Sequence, residues 1–212
     1  LTEELVELEA PLRLIEIDPL LIARLEERFE GRGVEIVHGD ATVADLPDDP
    51  FRAAGNLPYN VATPIIRRIV RAPGCRRAVF MVQREVADRF VARPGDPDYG
   101  FLTLVTRLWA TAEIILKLGP GSFRPRPKVS SAVVRFDVRD PGLKSERSAL
   151  ERILSRAFGQ RRKKLSNNLE GFDGLTKETI ERALEAAGLS PDVRAEQLDL
   201  HQFDELTTLL RS

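Results

Sequence analysis

Apolar and polar residues run in short alternating blocks through the first two thirds of the chain and fall into helical spacing over the rest. Residues 12–17, Leu-Arg-Leu-Ile-Glu-Ile, read as a strand. Pro19 then stands where a first helical turn accepts proline, because the amide it lacks would have no partner there, and opens an apolar-periodic helix to Phe29. Gly31 and Gly33 end that helix. Residues 34–37 form a second strand closing on His38-Gly39-Asp40, and residues 51–54 a third closing on Gly55-Asn56. Thr63-Pro64 predicts a helix start, a capping hydroxyl before a first-turn proline, for a helix ending near Pro73-Gly74. Residues 78–82 give a fourth strand, 99–109 a helix, and 113–118 and 132–138 a late strand pair joined by a loop rich in Pro, Gly and Arg. Beyond Pro141-Gly142 the periodicity is helical only, over 148–158, 162–169, 177–187 and 202–210, with breaks at 171–174 and 188–191.

Strands alternating with helices predict an α/β domain with a mainly parallel sheet over residues 1–140, and the last stretch a small all-helical domain over 141–212. In open α/β sheets ligands bind beyond the carboxyl ends of the strands. Glu16 and Asp18, Asp40, and Asn56 each follow a strand, so three consecutive strands aim polar side chains at one crevice. Turns favour Asp and Asn for their own backbone reasons, so each residue taken singly has an equally good structural explanation.

A chain of 212 residues that is 42% hydrophobic can bury one good core. No run approaches the ~20 apolar residues of a membrane helix, and no signal pattern opens the chain, which makes a cytoplasmic address the expectation. One cysteine, Cys75, and two separated histidines, His38 and His201, offer neither an internal disulfide nor a metal-ligand cluster. Net charge is −1, which by itself argues against a nucleic-acid partner, but its distribution does not. Residues 1–60 carry 5 basic and 14 acidic side chains, residues 61–170 carry 23 and 10, and residues 171–212 carry 4 and 9. So basic a middle can present a positive face to phosphates, whose neutralisation dominates nucleic-acid affinity, or can simply be solvated helix surface.

The most specific chemistry lies in Asn56-Leu57-Pro58-Tyr59. An amine conjugated to a purine is a poor nucleophile because its lone pair is delocalised into the ring. Two acceptors taking hydrogen bonds from its N–H groups return electron density to the nitrogen. The Asn56 side-chain oxygen and the Leu57 carbonyl suit that task, since Pro58 has a fixed φ and biases Leu57 to an extended conformation. Tyr59 adds a flat face on which a base can stack. The alternative is a proline turn after a strand with Tyr59 in the core.

The motif has company. Gly55-Asn56-Leu57-Pro58-Tyr59-Asn60 with Thr63-Pro64, Tyr99-Gly100, Phe123-Arg-Pro125-Arg-Pro127-Lys128-Val129-Ser-Ser131, 157–165 (Ala-Phe-Gly-Gln-Arg-Arg-Lys-Lys-Leu) and Arg194-Ala195-Glu196-Gln197-Leu198 occur in that order. In these the chain resembles the bacterial 16S ribosomal RNA adenine N6,N6-dimethyltransferases. The resemblance implies a Rossmann-like methyltransferase domain, S-adenosylmethionine as cofactor, and two adjacent adenines of the small-subunit RNA as substrate during ribosome maturation. It implies that Glu16 and Ile17 meet the cofactor ribose and Asp40 and Ala41 its adenine, with Asn56 shared between cofactor and target. Asn56, Leu57, Pro58 and Tyr59 would hold the target adenine, with Phe123 stacked on its other face. Arg124, Arg126 and Lys128 near the base, and Arg161, Arg162, Lys163 and Lys164, would contact RNA, with Arg67, Arg68, Arg71, Arg76 and Arg77 adding grip on phosphates. The implied partner is 16S ribosomal RNA in the immature small subunit, bound by a monomer with no metal.

In the family a strand and a glycine-rich loop precede the helix that Leu1-Thr2-Glu3-Glu4-Leu5 matches, so the domain is expected to be N-terminally incomplete. Glycine loops let backbone approach a ligand closely. Weak binding of S-adenosylmethionine by these 212 residues is the expectation, which calorimetry checks. Two other functions stay open on sequence alone: a DNA adenine methyltransferase, which also places an Asn/Asp-Pro-aromatic motif after a strand, and a non-catalytic ribosome-assembly factor docking through its basic face.

Overall fold

The computed structural model describes residues 1–125, Pro127 and residues 129–211. Its elements run α1 (Thr2–Val6), β1 (Leu12–Glu16), α2 (Pro19–Phe29), β2 (Val34–His38), β3 (Phe51–Asn56), α3 (Ala62–Arg71), β4 (Cys75–Gln83), α4 (Arg84–Val91), α5 (Phe101–Arg107), β5 (Ala110–Leu118) and β6 (Ser131–Val138). Helices α6 (Arg147–Ala157), α7 (Leu165–Leu169), α8 (Lys177–Ala186) and α9 (Leu200–Arg211) complete the chain. The α/β pattern followed by helices expected from the sequence is what the molecule adopts.

Among the described residues the strands form two sheets. β1 and β2 pair in parallel, and a four-stranded sheet has the order β3-β4-β6-β5, with β3 parallel to β4 and β6 antiparallel to both of its neighbours. The inner strands follow the period of two: Ala78, Phe80 and Val82 of β4 and Ala132, Val134 and Phe136 of β6 are buried, all on alternate positions. Phe90 of α4 meets Phe136 edge-on at 5.0 Å, and α3 adds Ile65, Ile66, Ile69 and Val70 from one face.

A second core lies among the helices, and it recruits residues from before the expected boundary at 140. Tyr99, Leu104 and Leu108 pack with Leu150, Leu154, Leu165, Leu184 and Phe203. The Tyr99 hydroxyl donates to the Leu198 carbonyl at 2.7 Å. Buried Asp204 accepts the amides of Lys144 and Ser145, both at 2.8 Å, and so anchors the connection into α6. Glu151 of α6 takes Arg67 at 2.7 Å and Arg71 at 2.6 Å, both from α3, which clamps the helical region to the sheet. Arg67 and Arg71 lie over the rings of Phe101 and Trp109.

Three local details differ from the sequence reading. Helix α3 starts at Ala62 after Val61, with no side-chain cap. The Val61 amide donates to the Pro58 carbonyl at 3.1 Å, so the turn sets the start and Pro64 falls in the first turn, where amides lack helical partners. Residues 84–91 form the unexpected α4, whose Ala87 and Phe90 are buried against the sheet. Residues 161–163 form a turn, and α7 begins only at Leu165. The Leu165 amide is drawn to the Val193 carbonyl at 2.8 Å, a contact no local pattern encodes.

Candidate active site

The two acids after β1 and β2 lie at neighbouring strand ends, since Glu16 is in register with His38 and Asp40 follows two residues later. Glu16 is half-buried, and its Oε1 accepts the amides of Ile17 at 2.8 Å and Asp18 at 2.9 Å. Its Oε2 has no partner among the described residues, and Ile17 beside it is 60% exposed. Asp18 is occupied as the cap of α2, accepting the Leu20 amide at 2.9 Å. Asp40 is exposed, and its Oδ1 accepts the Thr42 amide at 2.8 Å. The Thr42 amide and then its hydroxyl hold the Asp40 carboxyl below the usual carboxylate range. Each acid therefore has an oxygen fixed by a backbone amide of its own turn, and Glu16 keeps its other oxygen for a ligand. A diol and an aromatic amine, both N–H or O–H donors, fit such acceptors.

The third strand, β3, belongs to the other sheet. Arg68 of α3 donates to the carbonyls of Ala41, Val43 and Ala44, which ties the loop after β2 to the helix that follows Asn56–Tyr59. The Leu57 amide still bonds the Met81 carbonyl of β4 at 3.4 Å, so the sheet supports the motif up to that residue. Asn56 is exposed, and neither its side chain nor the Leu57 carbonyl is hydrogen-bonded among the described residues. Pro58 and Tyr59 form an exposed turn, and the Tyr59 hydroxyl reaches the buried Ser131 hydroxyl at 3.1 Å.

Phe123 is half-buried and extended in the loop between β5 and β6. That loop leaves at Leu118 and returns at Ser131, residues paired with each other, while Ser131 also pairs with Gln83 of β4. It springs from the edge of the sheet where Tyr59 is tethered. Arg124 is exposed on it, and Arg126 and Lys128 lie outside the described residues.

The basic side chains divide into two groups. Arg161 donates to the carbonyls of Pro97 at 2.7 Å and Tyr99 at 2.9 Å and lies 3.5 Å from Glu196, and Lys164 pairs with Asp192. Arg162 and Lys163, between them, are exposed and have no ion pair among the described residues. Buried Asn168 donates to the carbonyls of Ala157 at 2.7 Å and Gln160 at 3.1 Å, fixing the approach to that turn. The arginines expected to grip phosphates from α3 and β4 are instead engaged internally. Arg67 and Arg71 hold Glu151, Arg68 holds three carbonyls, and Arg77 pairs with Asp137 at 2.6 Å. Arg76, exposed, makes a 3.3 Å bond to the Pro73 carbonyl. Acidic partners distant in sequence decide this, which a charge run does not reveal.

A cleft of about 760 Å³ lies between α1 and α2, is lined by Thr2, Leu21 and Arg24, and touches the site only at Glu16. It is a groove between helices, not the strand-end crevice. Cys75 is buried, and burial pushes its thiol up to about 11, which keeps it protonated and unreactive. Among the described residues no group of three or more His, Cys, Asp or Glu can hold a metal ion, and no helix is long and apolar enough to cross a membrane. Asn168 and Glu151 escaped the sequence reading, because a mid-helix asparagine and a surface-patterned glutamate carry no local signal, and Ser131 enters it only as the end of the Phe123 motif, with no role.

A model of the family described as ribosomal RNA adenine dimethylase matches residues 1–211. Ribosomal RNA small subunit methyltransferase A of Acidothermus cellulolyticus is 41% identical over 215 residues, 97% of this chain and 74% of that protein. The protein of that name from Desulfitobacterium hafniense is 38% identical over 199 residues, 91% of this chain and 72% of its own length. The crystal structure of the 23S rRNA methyltransferase ErmE superposes with a TM-score of 0.74 at 28% identity, covering 100% of this chain and 86% of that one. A dimethyladenosine transferase from Plasmodium falciparum shares the fold, with a TM-score of 0.78 at 24% identity over 92% of this chain and 79% of its own. The architecture is thus the Rossmann-like methyltransferase fold with a helical C-terminal region.

Proposed function

The chain belongs to the ribosomal RNA adenine dimethylase family, and from that premise we propose how its residues divide the transfer of methyl groups to adenine of small-subunit ribosomal RNA. The finer reading is that two adjacent adenines of 16S RNA in the immature subunit are each methylated twice by a cytoplasmic monomer.

The observation that carries this reading is the state of Asn56–Tyr59: a sheet-supported strand end whose Asn56 side chain and Leu57 carbonyl are free to accept, beside a tethered aromatic ring. Asn56 Oδ1 and the Leu57 carbonyl take the two N–H groups of the target amine, which localises its lone pair and lets the nitrogen pyramidalise. No proton needs to be removed before attack, so no side chain with a displaced pKa is required. Pro58 holds the carbonyl direction, and Tyr59 and Phe123 stack on the two faces of the base. A base so held has left its RNA stack, which costs least in a single-stranded or loop setting.

S-adenosylmethionine supplies an electrophilic methyl group when bound. Glu16, through its free oxygen, accepts from the ribose hydroxyls, with Ile17 against the nucleoside. Asp40 accepts from the cofactor adenine amine beside the Ala41 backbone, and its lowered pKa keeps it ionised at neutral pH. Asn56 borders both substrates. Arg124, Arg162 and Lys163 are the exposed cations best free to meet phosphates, and Arg126 and Lys128 are assigned there by resemblance alone. Arg161 and Lys164 shape the turn that displays their neighbours while remaining at the RNA surface.

Transfer of label from the cofactor to immature small subunits by the full-length protein tests the assignment. Asn56→Ala is expected to lower kcat by about 10²–10³-fold, the scale of losing one preorganised hydrogen-bonding group. Phe123→Ala is expected to lower activity about 10- to 100-fold, the scale of one lost stacking contact. Undiminished activity in both variants overturns the site.

A further inference from the structure

We propose that Ser131 is a positioning residue for methyl transfer, acting through the hydroxyl of Tyr59; the inference rests on the reading of Tyr59 as one wall of the adenine pocket. Ser131 is completely buried at the first position of β6, between Gln83 of β4 and Leu118 of β5. A buried hydroxyl needs a partner, and among the described residues the partner it has is the Tyr59 phenol, 72 positions earlier, at 3.1 Å. Tyr59 is 39% exposed and stands in a turn rather than a strand or helix, so little packing fixes its ring. Held at its α-carbon by that turn and at its far end by Ser131, the ring has its long axis fixed in direction.

The position of that ring sets where a stacked base lies relative to Asn56 and the Leu57 carbonyl. Without the tether the ring swings about χ1, and the base samples positions in which its amine no longer meets both acceptors. A misplacement of the order of an ångström is costly to a reaction that depends on alignment. Ser131 is also where the Phe123 loop rejoins the sheet, and the adjacent Ser130 carbonyl accepts the Arg84 amide at 2.9 Å, so the anchor itself does not shift. One buried hydroxyl thereby refers both aromatic walls to the same rigid strand.

The test is a double-substitution cycle on the full-length enzyme with immature small subunits. Ser131→Ala and Tyr59→Phe are each expected to lower kcat about five- to tenfold, one net hydrogen bond, and to change KM for RNA less than kcat. The double variant is expected to be no worse than either single one, because both remove the same bond. A Tyr59→Phe enzyme with full kcat, or losses that multiply in the double variant, overturns the proposal. Tyr59→Phe leaves the buried strand untouched, so it remains decisive even if Ser131→Ala folds poorly. Tyr59→Ala separates the two readings. If it retains full activity, the adenine-pocket reading of Tyr59 fails; if it loses activity while Tyr59→Phe does not, the pocket stands and the tether falls.

Discussion

The unit that carries the two acids, residues 1–46, and the body that carries Asn56–Tyr59 are built very differently. In the first, Val6 and Phe29 are the buried apolar residues among the described ones, while Ile17, Leu20 and Leu21 are exposed. Its cohesion comes from a two-stranded parallel sheet and surface ion pairs: Glu3 with Arg28, Glu7 with Arg32, and Arg13 with Glu35. Such solvated pairs contribute little to stability. In the second, two continuous cores meet at Trp109, and nearly every inward side chain of β4 and β6 is fully covered. The body gives the target-base motif a rigid platform, whereas the acids depend on local turns, Ile17–Asp18 and Thr42, for their aim. Precision in the two halves thus has different sources, packing in one and backbone hydrogen bonds in the other.

That contrast can be broken in graded steps. Phe136→Ala, which deletes the ring between Phe80 and Phe90, is expected to cost about 3–5 kcal/mol, read as a drop in the denaturant midpoint. Glu151→Ala leaves Arg67 and Arg71 facing each other without a carboxylate and is expected to cost about 1–3 kcal/mol, less than a buried pair because both sides remain partly wet. Gly74→Ala addresses the seam between unit and body. A Cβ there would lie 2.5, 2.8 and 2.9 Å from the carbonyl oxygens of Asp49, Pro47 and Asp48, all backbone. About 1–3 kcal/mol is again expected, and faster amide exchange over residues 40–50 would sharpen the picture of the unit hinging on that loop. Leu20→Ala, at a side chain 74% exposed, is expected to change stability by less than about 0.5 kcal/mol. A Leu20→Ala loss rivalling that of Phe136→Ala would erase the comparison.

Elements whose cause is local were readable from the chain. Pro19 opens α2, and the alternation in residues 132–138 gives β6, because each signal is complete within a few residues; Asp18, expected at the crevice, is instead the cap of α2. The strand ends bearing Glu16, Asp40 and Asn56 followed from the same logic. What the chain concealed depends on partners far away in sequence. Thr63 looked like a cap, but the Pro58–Val61 turn had already started the helix. Arg161 to Lys164 looked like one uniform charge run, yet Pro97, Tyr99 and Asp192 divide it into struts and free cations. Arg67 and Arg71 looked like phosphate ligands until Glu151, some 80 residues on, met them.

The Glu151 bridge also bears on how interchangeable the two halves of such enzymes are. A helical region transplanted from a relative onto this sheet would meet two guanidinium groups projecting from α3, positioned over Phe101 and Trp109. Unless the graft brings an acid at the matching position of its first helix, two neighbouring cations of α3 are left facing the seam without a counter-charge. The halves of this protein are therefore not independent modules, and swaps must be made with α3 and α6 as a matched set.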